Sequence, residues 1–252
     1  MKRCNLAQLI IWCVFVALAG TSINWSADAA SPVKMNAEVV SPADLTAEID
    51  ALLTTIQEST LSAESYAERQ QQRNRAAIQI AVFAQSLAEH EVESPLKKSA
   101  PGLRNASLAL TRAASYEEGM QSLARIREAM EGKLSGTHAV DIEWNKLART
   151  STLMPILKER SESIRRGLRR PKDANVESRN AMAIALLALA AHGDLHLAKT
   201  PADRIVWQDA CLELQTNMSL VATAIKTRDS SAPDHFRLGM EACDKCHQKF
   251  KP

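Results

Sequence analysis

Residues 181 to 191 read AMAIALLALAA, with no charge and no hydrogen-bonding side chain. A helix over this stretch is apolar on every side, so it needs neighbours all round. The run is too long for a typical strand. It is too short for a membrane span, which takes roughly 20 apolar residues. The fold this demands is a helix packed at the centre of other helices. The rest of the chain supplies them. Hydrophobic residues make up 46% and aromatics 4%, with only 8 Gly and 9 Pro. β-branched runs are few, and no Asn-Gly or Asp-Gly hairpin turn occurs. This composition predicts an all-α protein.

Pro and Gly punctuation divides the pattern into helices over 43–59, 63–91, 101–114, 117–131, 139–169, 176–198, 202–227 and 232–250. They fall into two sets of four, joined at Gly132 to His138 (GKLSGTH). The expected architecture is two tandem antiparallel four-helix bundles, over 43–132 and 139–252, with 133–138 as linker. The two sets look related. Arg73-Asn74, Ile78, Ala84, His90 and Ser94-Pro95 have counterparts 106 residues later in Arg179-Asn180, Ile184, Ala190, His196 and Thr200-Pro201. Gly119-Met120 then resembles Gly239-Met240 at an offset of 120, which places a 14-residue insertion in the second copy. On that alignment Leu123 and Ile126 stand where Cys243 and Cys246 stand.

The N-terminus reads as a targeting segment. A basic MKR start, an apolar run from Leu6 to Ala19 and a small-residue site at Ala27 to Ala29 fit a signal peptide over 1–30. A flexible lead-in over 31–42 follows, and the expected location is periplasmic, with no membrane span after cleavage. Cys4 and Cys13 leave with the signal, so Cys211, Cys243 and Cys246 remain, and an odd number makes a poor disulfide framework. Net charge is +2, from 31 basic and 29 acidic residues, which provides no field for nucleic acid or anionic lipid.

The chemistry concentrates at residues 243 to 247, CDKCH. On a helix, Cys243 and Cys246 lie about 60° apart, with His247 about 40° to the other side of Cys243. Such a face can hold a macrocycle edge through two thioethers and offer an imidazole to iron, and C-x-x-C-H reads as a c-type haem site. A zinc site would use the same atoms but needs a fourth ligand, and no second Cys or His pair is evident. A thioredoxin-like dithiol belongs in a βαβ setting, which this chain lacks.

Cys243 to Lys251, CDKCHQKFK at the end of an all-α chain, resembles class II cytochromes c, the cytochrome c prime group. The likeness covers about residues 139–252 and is specific only in the nonapeptide. It implies one covalent haem c on a four-helix bundle, Cys243 and Cys246 as thioether residues, His247 as proximal ligand, and Phe250 and Lys251 beside it. A typical member is a single bundle, so the first, haem-free set departs from the pattern. The resemblance also allows a homodimer.

In that family the opposite face of the iron meets the first helix of the bundle, here 139–169. Its stripe of Trp144, Leu147, Met154, Leu157, Ile164 and Leu168 selects Met154, whereas an Arg four residues before the distal position, Arg149, selects Leu153. Met154 is preferred because a thioether can coordinate iron, although a core Met fills gaps equally well. Trp207 resembles a family tryptophan beside the haem, and Phe236 and Met240 extend the apolar wall. Cys211 shares a stripe with Trp207, Leu214, Met218 and Val221 and reads as a small hydrophobe. His192 and His196 have metal-binding spacing without partner ligands, and His235 is given no role. Arg165, Arg166, Arg169 and Arg170 complement a helix C-terminus.

The expected function is therefore an exported monohaem c-type cytochrome, not an enzyme, passing single electrons to a redox partner protein of unspecified identity. One alternative is a five-coordinate haem protein that binds or senses nitric oxide or carbon monoxide. Another is a helical interaction protein whose CDKCH holds zinc.

Overall fold

In the computed structural model of the chain, residues 40–134, 139–140 and 142–250 are described. The expected signal peptide, most of the lead-in and residues 135–138 of the linker lie outside them. The described residues are helical, without strands. The helices are α1 Pro42–Glu58, α2 Ala63–Glu68, α3 Gln70–Glu89, α4 Ala100–Arg112, α5 Tyr116–Met130, α6 Thr150–Arg169, α7 Ala174–Gly193, α8 Pro201–Thr227 and α9 Ala232–Phe250, with a 3-10 turn at Trp144–Lys146.

Local chemistry sets most of the starts. Ser41, Ser62 and Ser115 each accept a backbone N–H of the first turn of α1, α2 and α5. Asp173 caps α7, and Thr200 with Asp203 forms a reciprocal capping box ahead of Pro201 in α8.

Three expected boundaries are corrected. The helix expected over 63–91 divides at Arg69, which leaves helical geometry at φ −99° and ψ 21°. There Arg73 turns its guanidinium back to the Tyr66 carbonyl and lies 3.3 Å from the Tyr66 ring centroid. The helix expected over 139–169 is a 3-10 turn followed by α6 from Thr150. No neighbour in sequence caps α6. Asp194 does so from beyond α7, accepting the Thr150 N–H at 2.6 Å and its hydroxyl at 3.0 Å. The same Asp194 closes α7, which ends at Gly193 and not near 198.

Each set packs in serial order, α1 on α3, α3 on α4 and α4 on α5, then α6 on α7, α7 on α8 and α8 on α9. The serial pairs of the second set run antiparallel. Thr150 meets Asp194 and Asn180 meets Ser163 between α6 and α7; Ser178 meets Ala222 and Ala191 meets Trp207 between α7 and α8. The sets meet where α3 packs on α7 and α6. The apolar run AMAIALLALAA lies in α7, buried from Ala181 to Ala191. One continuous core runs from α1 to α9, and the described residues form one compact unit. A polar clasp crosses the join. Glu48 of α1 binds Arg160 at 2.5 Å and Arg179 at 3.4 Å, while Arg160 also donates to Gln79 and Asn180.

Candidate functional site

The seam between α8 and α9 carries most of the residues singled out in the sequence. Trp207 is 2% exposed and donates its indole N–H to the Ala191 carbonyl at 2.8 Å. Phe250 meets it edge to face, with ring centroids 5.1 Å apart. Such a pair adds about 1 kcal/mol beyond the area it buries. Further along the seam Gly239 lies against Met218, and a Cβ there would run into the Met218 methyl. Glycine thus lets the two helices approach closely. Lys245 to Glu213 at 3.0 Å and Lys249 to Asp203 at 2.8 Å tie the outer rim.

Cys243 and Cys246 sit between these two contacts, half-buried against the core, and both are free thiols. His247 is exposed. Cys211 is buried on the facing side of α8. Burial pushes the Cys211 thiol far above its ordinary value, and charge on Cys246, then on Cys243, acts in the same direction. Burial, then the charges of Cys246 and Asp244, push Cys243 up to about 11. Burial also raises Cys246. The three sulfurs are electrostatic neighbours, protonated at neutral pH. A structural cysteine stays that way, whereas nucleophilic chemistry needs the thiolate.

The remaining expected residues divide. Phe236 is buried in α9, and the Arg165 guanidinium of α6 lies 5.9 Å from its ring centroid. Met240 is half-buried beside the core. Leu153 is fully buried in the core of α6, while Met154 is half-buried. α6 and α9 are not among the helix pairs that pack closely backbone to backbone. They run antiparallel, and the Arg165 guanidinium reaches toward Phe236. Met154 and Pro155 lie near the start of α6. Pro155 leaves the Ser151 carbonyl without its helical N–H at this end of α6.

His192 and His196 do not form a pair. His192 is buried with no protein partner at Nε2, and its ring is held below the ordinary histidine value by burial, against the opposing pull of Asp209. His196 instead bonds Asp194 at 2.8 Å. Among the described residues, no group of three or more His, Cys, Asp or Glu side chains is arranged to hold a metal ion, and no helix is long and apolar enough to cross a membrane. Two clefts, of about 790 and 610 Å³, flank α6 on its side toward α1, α3 and the start of α7. Neither is lined by Cys243, Cys246 or His247.

The sequence reading missed the clasp at Glu48 and the cap at Asp194. The only signal for either was an acidic residue in an otherwise apolar or turn setting. No family model, curated protein or solved structure matches the chain.

Proposed function

We propose that the chain is an exported c-type cytochrome of two helical bundles, with the haem carried on α9 of the second. The observation that carries this reading is the state of CDKCH. Two free thiols lie half-exposed, one turn apart on α9, with an exposed imidazole directly after the second. That donor set fits haem c. Cys243 and Cys246 would hold it by thioethers, and His247 would be its axial ligand. Bound there, the haem supplies a one-electron ferrous–ferric couple.

The chain's own residues would do the rest. Trp207 and Phe250 form a stiff apolar wall at the end of the seam, which keeps water from that side. Met154 on α6 would be the residue that approaches the opposite face. A thioether there favours electron transfer to a redox partner protein; an unligated Met154 favours a small gas such as nitric oxide or carbon monoxide. Replacing Met154 with Ala and recording the ferrous spectrum separates the two, because a changed spectrum identifies the ligand.

The test of the main reading is an absorption spectrum of protein exported in a host with c-type haem maturation. It is taken in alkaline pyridine after acid–acetone extraction. Haem that stays with the polypeptide and shows the two-thioether spectrum supports the proposal, and Cys243→Ala with Cys246→Ala should abolish it. Colourless protein with one equivalent of zinc overturns it.

A further inference from the structure

Two contacts fix the register of α8 against α9. Trp207 meets Phe250, and Met218 meets Gly239. Counting inward, four residues on from Trp207 is Cys211, and four back from Phe250 is Cys246. Seven back from Met218 is again Cys211, and seven on from Gly239 is again Cys246. Four and seven residues are one and two turns, so each step returns to the same face of its helix. Both anchors set Cys211 opposite Cys246. Leu214, one step along, stands opposite Cys243.

We propose that Cys211 and Cys246 form a disulfide across the α8–α9 seam in the chain that carries no haem. A disulfide needs Cα atoms about 4.4–6.8 Å apart, closer than most packed helices allow. Gly239 permits that approach seven residues away. Charge on Cys246 also affects Cys211 more than charge on Cys243 does.

The oxidant is a small or protein disulfide, RSSR, of the kind an oxidising compartment provides. The half-exposed Cys246 thiolate attacks one sulfur of RSSR, forming a mixed disulfide and releasing RS⁻. The Cys211 thiolate then attacks the Cys246 sulfur and displaces the second RS⁻. Two protons pass from the protein thiols to the two thiolates, so the products are one protein disulfide and two RSH. With Cys246 cross-linked, CDKCH has only one thiol for attachment, so Cys211 guards the site until a reductant opens it. That consequence rests on the haem reading; the cross-link does not.

Trypsin reads the answer directly, because Lys245 separates the pair. Cys211 falls on IVWQDACLELQTNMSLVATAIK, Cys243 on LGMEACDK and Cys246 on CHQK. Full chain made without haem maturation is oxidised with glutathione disulfide, alkylated and digested without reductant. The expected product joins CHQK to the Cys211 peptide, with Cys243 alkylated. CHQK joined mainly to LGMEACDK, or all three thiols alkylated, overturns the proposal. Cys243→Ser should retain the cross-link, and Cys211→Ser should lose it while keeping the helical circular dichroism of the parent. A Cys243→Ser chain without the cross-link also overturns it. The pyridine spectrum of matured protein tests the haem reading separately, so the two can fail independently.

Discussion

α5 and α9 close their respective sets, and they treat the same helical positions in opposite ways. Four residues after Gly119, Leu123 is 1% exposed, and Ile126 a turn later is 0% exposed. Four residues after Gly239, Cys243 is half-buried, and so is Cys246. The glycines differ as well. Gly119 lies under the Tyr66 ring from the short helix α2, whereas Gly239 lies under Met218 of α8. One end helix gives its inner face to packing. The other leaves its two cysteines partly open, and it leans on a partner helix of 27 residues where α4 has 13. Two less deeply buried positions on α9 thus coexist with a helix held in place by the close approach at Gly239 and the flanking apolar contacts.

Substitution at the matching positions should show the largest contrast. Leu123→Ala removes a fully buried side chain and should cost about 2–5 kcal/mol. Cys243→Ala in haem-free protein removes one half-buried atom and should cost about 1 kcal/mol or less. Urea unfolding of both variants checks this, and equal losses would break the comparison. The glycines should differ by less. A Cβ at Gly119 strikes an aromatic ring packed between Arg73 and Tyr116, so Gly119→Ala should cost about 1–3 kcal/mol. At Gly239 it meets the flexible end of Met218, and the gain in helix propensity, about 1 kcal/mol, should nearly cancel the strain. Thermal melts of the two alanine variants would sharpen the point; a large loss for Gly239→Ala would show the seam to be tighter than Met218 allows.

The smallest effect concerns the residues that end α3 and α7. His90 reaches back to the Val40 carbonyl just before α1, at 2.8 Å, as Asp194 reaches back to the start of α6. Burial acts to raise the Asp194 pKa, but the Thr150 N–H, the His196 ring and the Thr150 hydroxyl together hold it below its ordinary 3.8. A depressed carboxyl stabilises the fold above its unfolded pKa, and that stability is lost as pH falls through the folded value. The contribution should therefore be complete at neutral pH and disappear as pH drops below about 4. Asp194→Asn should cost about 1 kcal/mol at neutral pH and flatten this acid limb. Urea midpoints of parent and variant between neutral pH and strong acid measure it, and parallel curves would remove Asp194 as the source.

What the sequence made legible was whatever is decided locally. The starts of α1, α5 and α8 fall one residue from the expected 43, 117 and 202. The stripe of Trp207, Cys211, Leu214 and Met218 was readable from its spacing. The partner it faces was not, because register depends on where Gly239 lets α9 settle. The start of α6 was hidden for a related reason. Its cap comes from Asp194, 44 residues onward, so nothing near Thr150 announces it. The break at Arg69 was equally silent, since the helical pattern runs through it and only Arg73 folding onto Tyr66 sets the bend. The clasp at Glu48 joins α1 to α6 and α7, a pairing across the molecule that no window along the chain contains.

The extra length of α8 has a rotational consequence. The excess of 27 residues over 13 turns the helix through an angle only about 40° short of four full revolutions. A stripe carried across such an addition emerges pointing nearly where it pointed before. Lengthening by two residues instead would swing it by about 200°, to the far side. Growth in near-whole revolutions is therefore the kind that can lengthen a seam, and add room for a tryptophan and a third cysteine, without asking any neighbouring helix to move.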